Sequence, residues 1–248
     1  MKNKNVAIII AGGSGTRMGL EIPKQFVNIN NKPVIIYTLE AFENHPQIDA
    51  IEVVCIHGWE DTLMSYINEF GITKVKWIVE GGKTGQESIR NGIYNLENVL
   101  DENDNIIIHD GVRPMLDSEI ISDVIVKCNL HGNGVSSMPY NEQIFLKDDE
   151  ESTSKYIPRE TLRRVVTPQA YKFGLIDRSY HEAFEKNIGI QGSAYANTMM
   201  VELGHKLYFA CGSDKNLKLT TIDNLAIFKA MLDIEQENGM TLKRNLKG

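Results

Sequence analysis

The chain has 248 residues, of which 42% are hydrophobic and 24% charged, with a formal net charge of −7. That length accommodates one large α/β domain or two small ones, and the ordinary apolar content supplies an adequate core. The negative balance argues against non-specific nucleic-acid binding, so an anionic ligand must be held by local basic residues against an unfavourable global field.

The first element is Val6-Ala7-Ile8-Ile9-Ile10, a continuous apolar run that reads as a strand buried on both faces. It breaks into Ala11-Gly12-Gly13-Ser14-Gly15-Thr16-Arg17-Met18-Gly19, and Pro23-Lys24-Gln25-Phe26 follows. Glycines let backbone N–H groups approach a ligand closely, and successive N–H groups in such a turn form an anion site. Arg17 and Lys24 complete a cradle suited to a polyphosphate. Neither common phosphate pattern fits. A P-loop needs glycine and lysine where Arg17 and Met18 stand, and a dinucleotide fingerprint needs a third glycine at Met18.

Beyond the turn at Asn30-Asn31-Lys32, Pro33 suits the first position of a helix that runs to about residue 44. A strand over 51–56, a helix over 60–70 closed by Gly71, and a strand over 75–79 follow. Ile89, Ile93 and Leu96 have helical spacing within 86–96, and 105–108 is another apolar strand. Strands alternating with helices imply a parallel sheet with helices on both faces. In such sheets ligands collect at the carboxyl ends of the strands, where the glycine-rich turn, Gly81-Gly82 and His109-Asp110-Gly111 all fall.

After a helix over 118–130 the pattern changes. A strand over 135–139 leads into 140–156, where the charged turn Lys147-Asp148-Asp149-Glu150-Glu151 separates short strand-like pieces. Such a run is either a solvated loop or the tip of an arm projecting from the domain. The chain returns through Thr167-Pro168-Gln169, a helix around 175–187, the stretch 193–203, a strand over 206–211 and a last helix over 221–236. The tail from Gly239, with Lys243, Arg244 and Lys247, is polar, basic and expected to fray.

Cys55, Cys128 and Cys211 are odd in number, far apart and without metal-ligand spacing. Cys55 and Cys211 lie in apolar contexts and are expected as buried small hydrophobes. Residues 1–5 lead straight into the first strand, and no apolar run reaches the length of about 18 residues that spans a membrane. A reduced, cytoplasmic protein without membrane or nucleic-acid partners is therefore expected.

The motifs 11–26, Lys32-Pro33, Gly81-Gly82 with Ser88, Asn91-Gly92, His109-Asp110-Gly111-Val112-Arg113-Pro114, Thr167-Pro168-Gln169 and 212–221 occur in one order across nearly the whole chain. Together they resemble the CTP-dependent cytidylyltransferases that act on 2-C-methyl-D-erythritol 4-phosphate, and their relatives that act on ribitol 5-phosphate. The resemblance implies a single Rossmann-like α/β domain over 1–238, with a mostly parallel sheet flanked by helices. It further implies an arm at about 139–161 that clasps a second copy into a homodimer, leaving 239–248 as a tail.

The implied reaction joins a polyol phosphate oxygen to the α-phosphorus of CTP and releases pyrophosphate. A phosphate monoester is already anionic, so the difficulty is charge, which fixed cations address. The resemblance assigns that role to Arg17, Lys24 and Lys218. It places CTP on Ala11, Gly12, Gly13, Ser14, Gly15, Gly81, Gly82, Ser88, Asp110 and Gly111. The acceptor falls to Asp110, Arg113, Arg159, Thr167 and Ser193, with Arg159 beside the arm and available to a partner subunit. An arginine suits a phosphate because its planar fork donates two parallel hydrogen bonds. Mg2+ is implied as the triphosphate counter-ion, held by phosphate and water rather than by a protein cage. Read from the residues alone, Asp110 could instead cap a loop, Arg113 could form a surface ion pair, and His109 beside a buried strand is structural.

Three departures bear on the acceptor. The family usually has arginine where Gly85 stands, a Thr-Asp stretch where 192–198 stands, and, in the methylerythritol branch, alanine at Val112. Ser193, Asn197 and Thr198 can still address hydroxyls. Together these changes favour a CDP-alditol product for cell-surface polymers over the isoprenoid role. A pyrophosphorylase using another nucleotide such as UTP, and a non-catalytic relative, are the rival readings. Retention of Arg17, Lys24 and Lys218 argues against the second.

Overall fold

The computed structural model describes residues 3–13, 15, 19, 22–192 and 195–245, with 236–245 as backbone. Four parallel strands form the half of the sheet that carries the glycine-rich turn: β1 (Asn5–Ala11), β4 (Ala50–Cys55), β5 (Val75–Glu80) and β6 (Asn105–Asp110). Side chains alternate across a strand, and β1 is apolar on both faces. Ala7, Ile9 and Ala11 pack toward α1 (Val34–Glu43), α2 (Glu60–Glu69) and α4 (Ser118–His131). Val6 and Ile8 pack toward α3 (Gly85–Asn95), α5 (Phe173–Lys186) and α6 (Ala196–Glu202).

The full sheet has seven strands in the order β11-β7-β10-β6-β1-β4-β5. Beyond β6, β10 (Arg163–Lys172) runs antiparallel to both β6 and β7 (Asn133–Pro139), while β11 (Phe209–Ala210) lies parallel to β7. The sheet is thus mostly parallel, as expected. β10 was not expected as a strand, because Pro168 lies within it and lacks an N–H for a ladder. Its register with β7 shifts between Val165 and Gln169, on either side of that proline.

Four further expectations change. Pro33 precedes α1 instead of opening it, because it pairs with Asn28 in the small β2 (Asn28–Ile29) and β3 (Lys32–Pro33) ladder. The strand expected over 206–211 shrinks to the two residues of β11. Cys211, just past that edge strand, is exposed, while Cys128, packed on the inner face of α4, is buried with Cys55. Finally, α7 (Ile222–Asn245) continues through Gly239. A glycine within a helix costs about 1 kcal/mol and does not by itself end it. The hairpin of β8 (Ile144–Leu146) and β9 (Lys155–Ile157) forms the arm, with Phe145, Leu146 and Tyr156 exposed.

Register brings the working ends of four strands to one edge. Asp110 lies opposite Ile10, Cys55 opposite Ala11, and Glu80 opposite Cys55. A third apolar cluster joins that edge to α7: Val112 and Leu219, from two loops, pack with Val34, Leu225 and Phe228.

One buried group interrupts the apolar strand β4. Glu52 is fully buried beneath α3 and accepts a hydrogen bond of 2.7 Å from Asn95 Nδ2. A Cβ at Gly92 would meet its Oε1 at 2.8 Å, so only glycine lets the helix lie this close. Burial pushes the Glu52 carboxyl up to about 8, outweighing the Asn95 bond. The raised value means that Glu52 supports the fold fully below its unfolded value of about 4.3, and that this support is lost as pH rises through about 8. Glu52→Gln keeps an acceptor for Asn95 and removes the ionisation. Thermal melts between about pH 5 and pH 9 are therefore expected to decline less for the variant than for the wild type.

Candidate active site

The glycine-rich turn is held from below by a residue of the Pro23–Phe26 segment. Gln25 is buried, and its Nε2 donates to the carbonyls of Ala11 at 2.7 Å and Gly13 at 3.1 Å. The loop then meets the turn after β5 at backbone distance: a Cβ on Gly81 would lie 3.1 Å from the Cα of Gly12. A Cβ on Gly12 would lie 3.1 Å from Ser88 Oγ. Ser88 Oγ accepts from the N–H of Gly82 and donates to the carbonyl of Thr84, each at 3.0 Å. Its hydroxyl therefore fixes the Gly81-Gly82 turn to the first turn of α3. Thr84 and Glu87 form a reciprocal cap at that helix start. The helix N-terminus faces the same cavity and favours negative charge.

That cavity has a volume of about 320 Å³. One wall is Ala11, Gly12, Gly13, Lys24 and Gln25, and a second is Gly82, Lys83, Thr84, Gly85 and Ser88. Asp110, Val112 and Lys218 close it. Ser14, Arg17 and Ser193 lie outside the described residues. Gly15 packs against Lys24. Gly111 serves the turn itself, its N–H donating to Ile10 at 2.8 Å and its carbonyl accepting from Thr38 Oγ1 at 3.1 Å.

Asp110 is the electrostatic centre. Its Oδ1 accepts from Lys218 Nζ at 3.0 Å and its Oδ2 from Arg113 Nε at 2.7 Å. Its backbone N–H donates to Thr167 Oγ1 at 3.2 Å. Burial alone would raise the carboxyl, but the adjacent Lys218 and Arg113 charges outweigh it and hold it down at about 2. Arg113 is 8% exposed, which makes it a buried partner and not a surface ion pair. Its Nη1 donates to the carbonyl of Asn216 at 2.8 Å, and Asn216 Nδ2 donates to the carbonyl of Thr167 at 2.7 Å. Gln25, Asn216 and the Thr84–Glu87 cap had no assigned role in the sequence. The first two sit inside recognised motifs, and the third has the capping-box spacing.

His109 is structural, as its position beside a buried strand suggests. Nε2 lies 3.1 Å from the carbonyl of Arg113, and burial pulls the imidazole down to about 4. Arg159 is not brought to the cavity of its own chain. It stands half-exposed at the base of the arm, bordering a separate depression of about 790 Å³ with Tyr140, Asn141 and Phe209. Among the described residues lining the nucleotide-sized cavity, Asp110 is the sole carboxylate, and both its oxygens are engaged. This fits a metal that arrives on phosphates and water, not one held by a protein cage.

A family model described as "IspD: 2-C-methyl-D-erythritol 4-phosphate cytidylyltransferase" matches residues 5–234. The chain belongs to this family. As a cytidylyltransferase it is a nucleotidyltransferase, in keeping with its glycine-lined, cation-bearing cavity. It is 60% identical over 226 residues to a ribitol-5-phosphate cytidylyltransferase of Lacticaseibacillus paracasei, covering 91% of this chain and 97% of the relative. A ribitol-5-phosphate cytidylyltransferase of Vibrio parahaemolyticus is 39% identical, with 94% and 97% covered. A 2-C-methyl-D-erythritol 4-phosphate cytidylyltransferase of Clostridium tetani is 35% identical, with 90% and 88% covered. A crystal structure of 4-diphosphocytidyl-2C-methyl-D-erythritol synthase superposes with a TM-score of 0.76 at 26% identity, covering 94% of this chain and all of the other.

The ion triad generates a stability prediction for the cytidylyltransferase. Asp110→Asn leaves Arg113 and Lys218 facing each other without a counter-charge. It is expected to lower unfolding free energy by about 2–3 kcal/mol, measured by denaturant titration near neutral pH. The Asp110 contribution is present above the usual carboxylate range and lost as pH falls through about 2. The difference between wild type and variant should therefore narrow only in strong acid.

Proposed function

We propose that this cytidylyltransferase makes CDP-ribitol and pyrophosphate from CTP and ribitol 5-phosphate. The observation that carries the choice of acceptor is the 60% identity, over nearly the full length of both chains, to a ribitol-5-phosphate cytidylyltransferase. The departures at Gly85, Val112 and 192–198 lean the same way. The second reading is the methylerythritol phosphate reaction, favoured by the description of the matching family model.

In the proposed reaction an anionic oxygen of the acceptor phosphate forms a bond to the α-phosphorus of CTP. The bond from that phosphorus to the bridging oxygen breaks, and pyrophosphate leaves with the electron pair. No proton has to be removed from the nucleophile. Asp110, ionised and doubly paired, and His109, neutral and buried, are accordingly not cast as bases. The work is electrostatic. Lys24 and Lys218 border the cavity from opposite ends of the sequence and oppose the charge gathering on the reacting phosphates, with Arg17 assigned the same task. In this reading the backbone of 11–15, Gly81, Gly82 and Ser88 hold the nucleotide, and Asp110, Arg113, Thr167 and Ser193 are assigned to the acceptor. Mg2+ on the triphosphate would neutralise part of its charge, in the setting that the engaged oxygens of Asp110 leave to phosphate and water ligands.

A homodimer through the arms completes the proposal. Exposed Phe145 and Tyr156, paired across the two strands, give each hairpin an apolar face to bury, and Arg159 at its base would reach the acceptor site of the second copy. A cytoplasmic location suits CTP as the donor, and no helix among the described residues is long and apolar enough to cross a membrane.

Pyrophosphate release with CTP or UTP, paired in turn with ribitol 5-phosphate, methylerythritol phosphate and other alditol phosphates, tests the reading. The highest kcat/KM is expected with CTP and ribitol 5-phosphate, and activity with UTP but not CTP would overturn it. Lys24→Ala and Lys218→Ala should each lower kcat by about 100-fold or more while the circular dichroism of the fold is retained, with a lower melting temperature for Lys218→Ala, which removes one of the two cations paired with Asp110. Arg159→Ala is expected to raise KM for the acceptor by about tenfold and leave KM for CTP unchanged.

A further inference from the structure

Lys218 has a second neighbour besides Asp110. Its Nζ lies 5.1 Å from the ring centroid of Tyr195. Tyr195 immediately precedes α6, and its backbone is pinned: the carbonyl accepts from Gln86 Nε2 at 3.0 Å and from Thr198 Oγ1 at 2.8 Å. Gln86 is buried, donates also to the carbonyl of Gly189 at 3.1 Å, and accepts from Tyr180 OH at 2.8 Å. One side chain in the first turn of α3 therefore holds the carbonyls of both Gly189 and Tyr195. Tyr195 itself is 39% exposed, so its ring is not there to fill a core. It borders a small hollow with Ile10, Asp110, Thr167 and Gln169, which adjoins the nucleotide cavity through Ile10 and Asp110.

We propose that Tyr195 is a positioning residue for Lys218 on the acceptor side of the site. The inference rests on the reading of Lys218 as a cation of the cytidylyl-transfer site. Its physical basis is the difference between a ring and a carboxylate as partners for an ammonium. Asp110 holds Lys218 by cancelling its charge, and would draw it out of line when an anionic substrate competes. A ring face attracts the ammonium while leaving its full charge available to a phosphate. Two dissimilar partners thus restrain a long side chain that otherwise has several rotamers to lose. Tyr195 shares its hollow with Asp110 and Thr167, which the proposed function assigns to the acceptor, and does not line the nucleotide cavity, so its effect is expected on the acceptor.

The test pairs a kinetic readout with one that needs no turnover. Tyr195→Leu is expected to lower kcat/KM for ribitol 5-phosphate by about tenfold, with KM for CTP within about twofold, and Tyr195→Phe to recover most of the loss. In the same proteins, the ε-methylene protons of Lys218 should be shifted upfield by the ring current in wild type and Tyr195→Phe, and return to the usual position in Tyr195→Leu. An unchanged acceptor kcat/KM in Tyr195→Leu, or a Lys218 signal that does not move, would overturn the proposal. A wild type inert toward every polyol phosphate, with Lys218 still ring-shifted, would strike down the acceptor reading and support the Tyr195–Lys218 contact alone.

Discussion

The site depends on one charge cluster. Asp110 closes β6, Arg113 follows in the next turn, and Lys218 arrives from a segment 108 residues further on. Removing a carboxylate from water is costly, and here the cost is offset by two cations and a backbone–threonine contact. Because Arg113 also holds Asn216, and Asn216 holds Thr167, the same cluster fastens β6, β10 and the loop before α7 to one another. With Lys24, Lys83 and Lys218 against the carboxylate of Asp110, the described lining of the cavity is net positive. A protein with an overall charge of −7 can thereby present a locally attractive surface to a triphosphate.

The glycines next to that cluster act by closeness of approach. Gly12 and Gly81 let two strand-end loops touch through their backbones, and Gly92 lets α3 settle over Glu52. Gln25 supplies what a glycine turn lacks, a fixed anchor, by holding the carbonyls of Ala11 and Gly13. With those carbonyls tied back, residues 11–13 are fixed before any ligand arrives, so less conformational entropy is lost there on binding.

Much of this was legible in the sequence. The apolar runs at β1, β4 and β6 announce strands buried on both faces, and strand–helix alternation implies the parallel half of the sheet and the edge where ligands gather. The motifs containing Asp110, Arg113 and Lys218 point to the right elements. Their mutual pairing was not legible, because it depends on contacts between residues that no local pattern relates. β10 was hidden by Pro168, and Cys211 looked like core because an apolar neighbourhood does not reveal that its strand lies at a sheet edge. Tyr195 carried no signal at all, since its role follows from where Gln86 pins the chain.

The small apolar cluster under the site has a temporal meaning as well as a spatial one. Val112 is packed by Leu219, Leu225 and Phe228, so the loop bearing Lys218 is seated by residues synthesised after it. Lys24 and the glycine-rich turn leave the ribosome early, whereas their opposing cation is set in place only when α7 folds back onto α1. A nascent chain therefore carries the glycine-lined half of the cavity long before it carries Lys218. Completion of the cavity is in this sense a late event of synthesis.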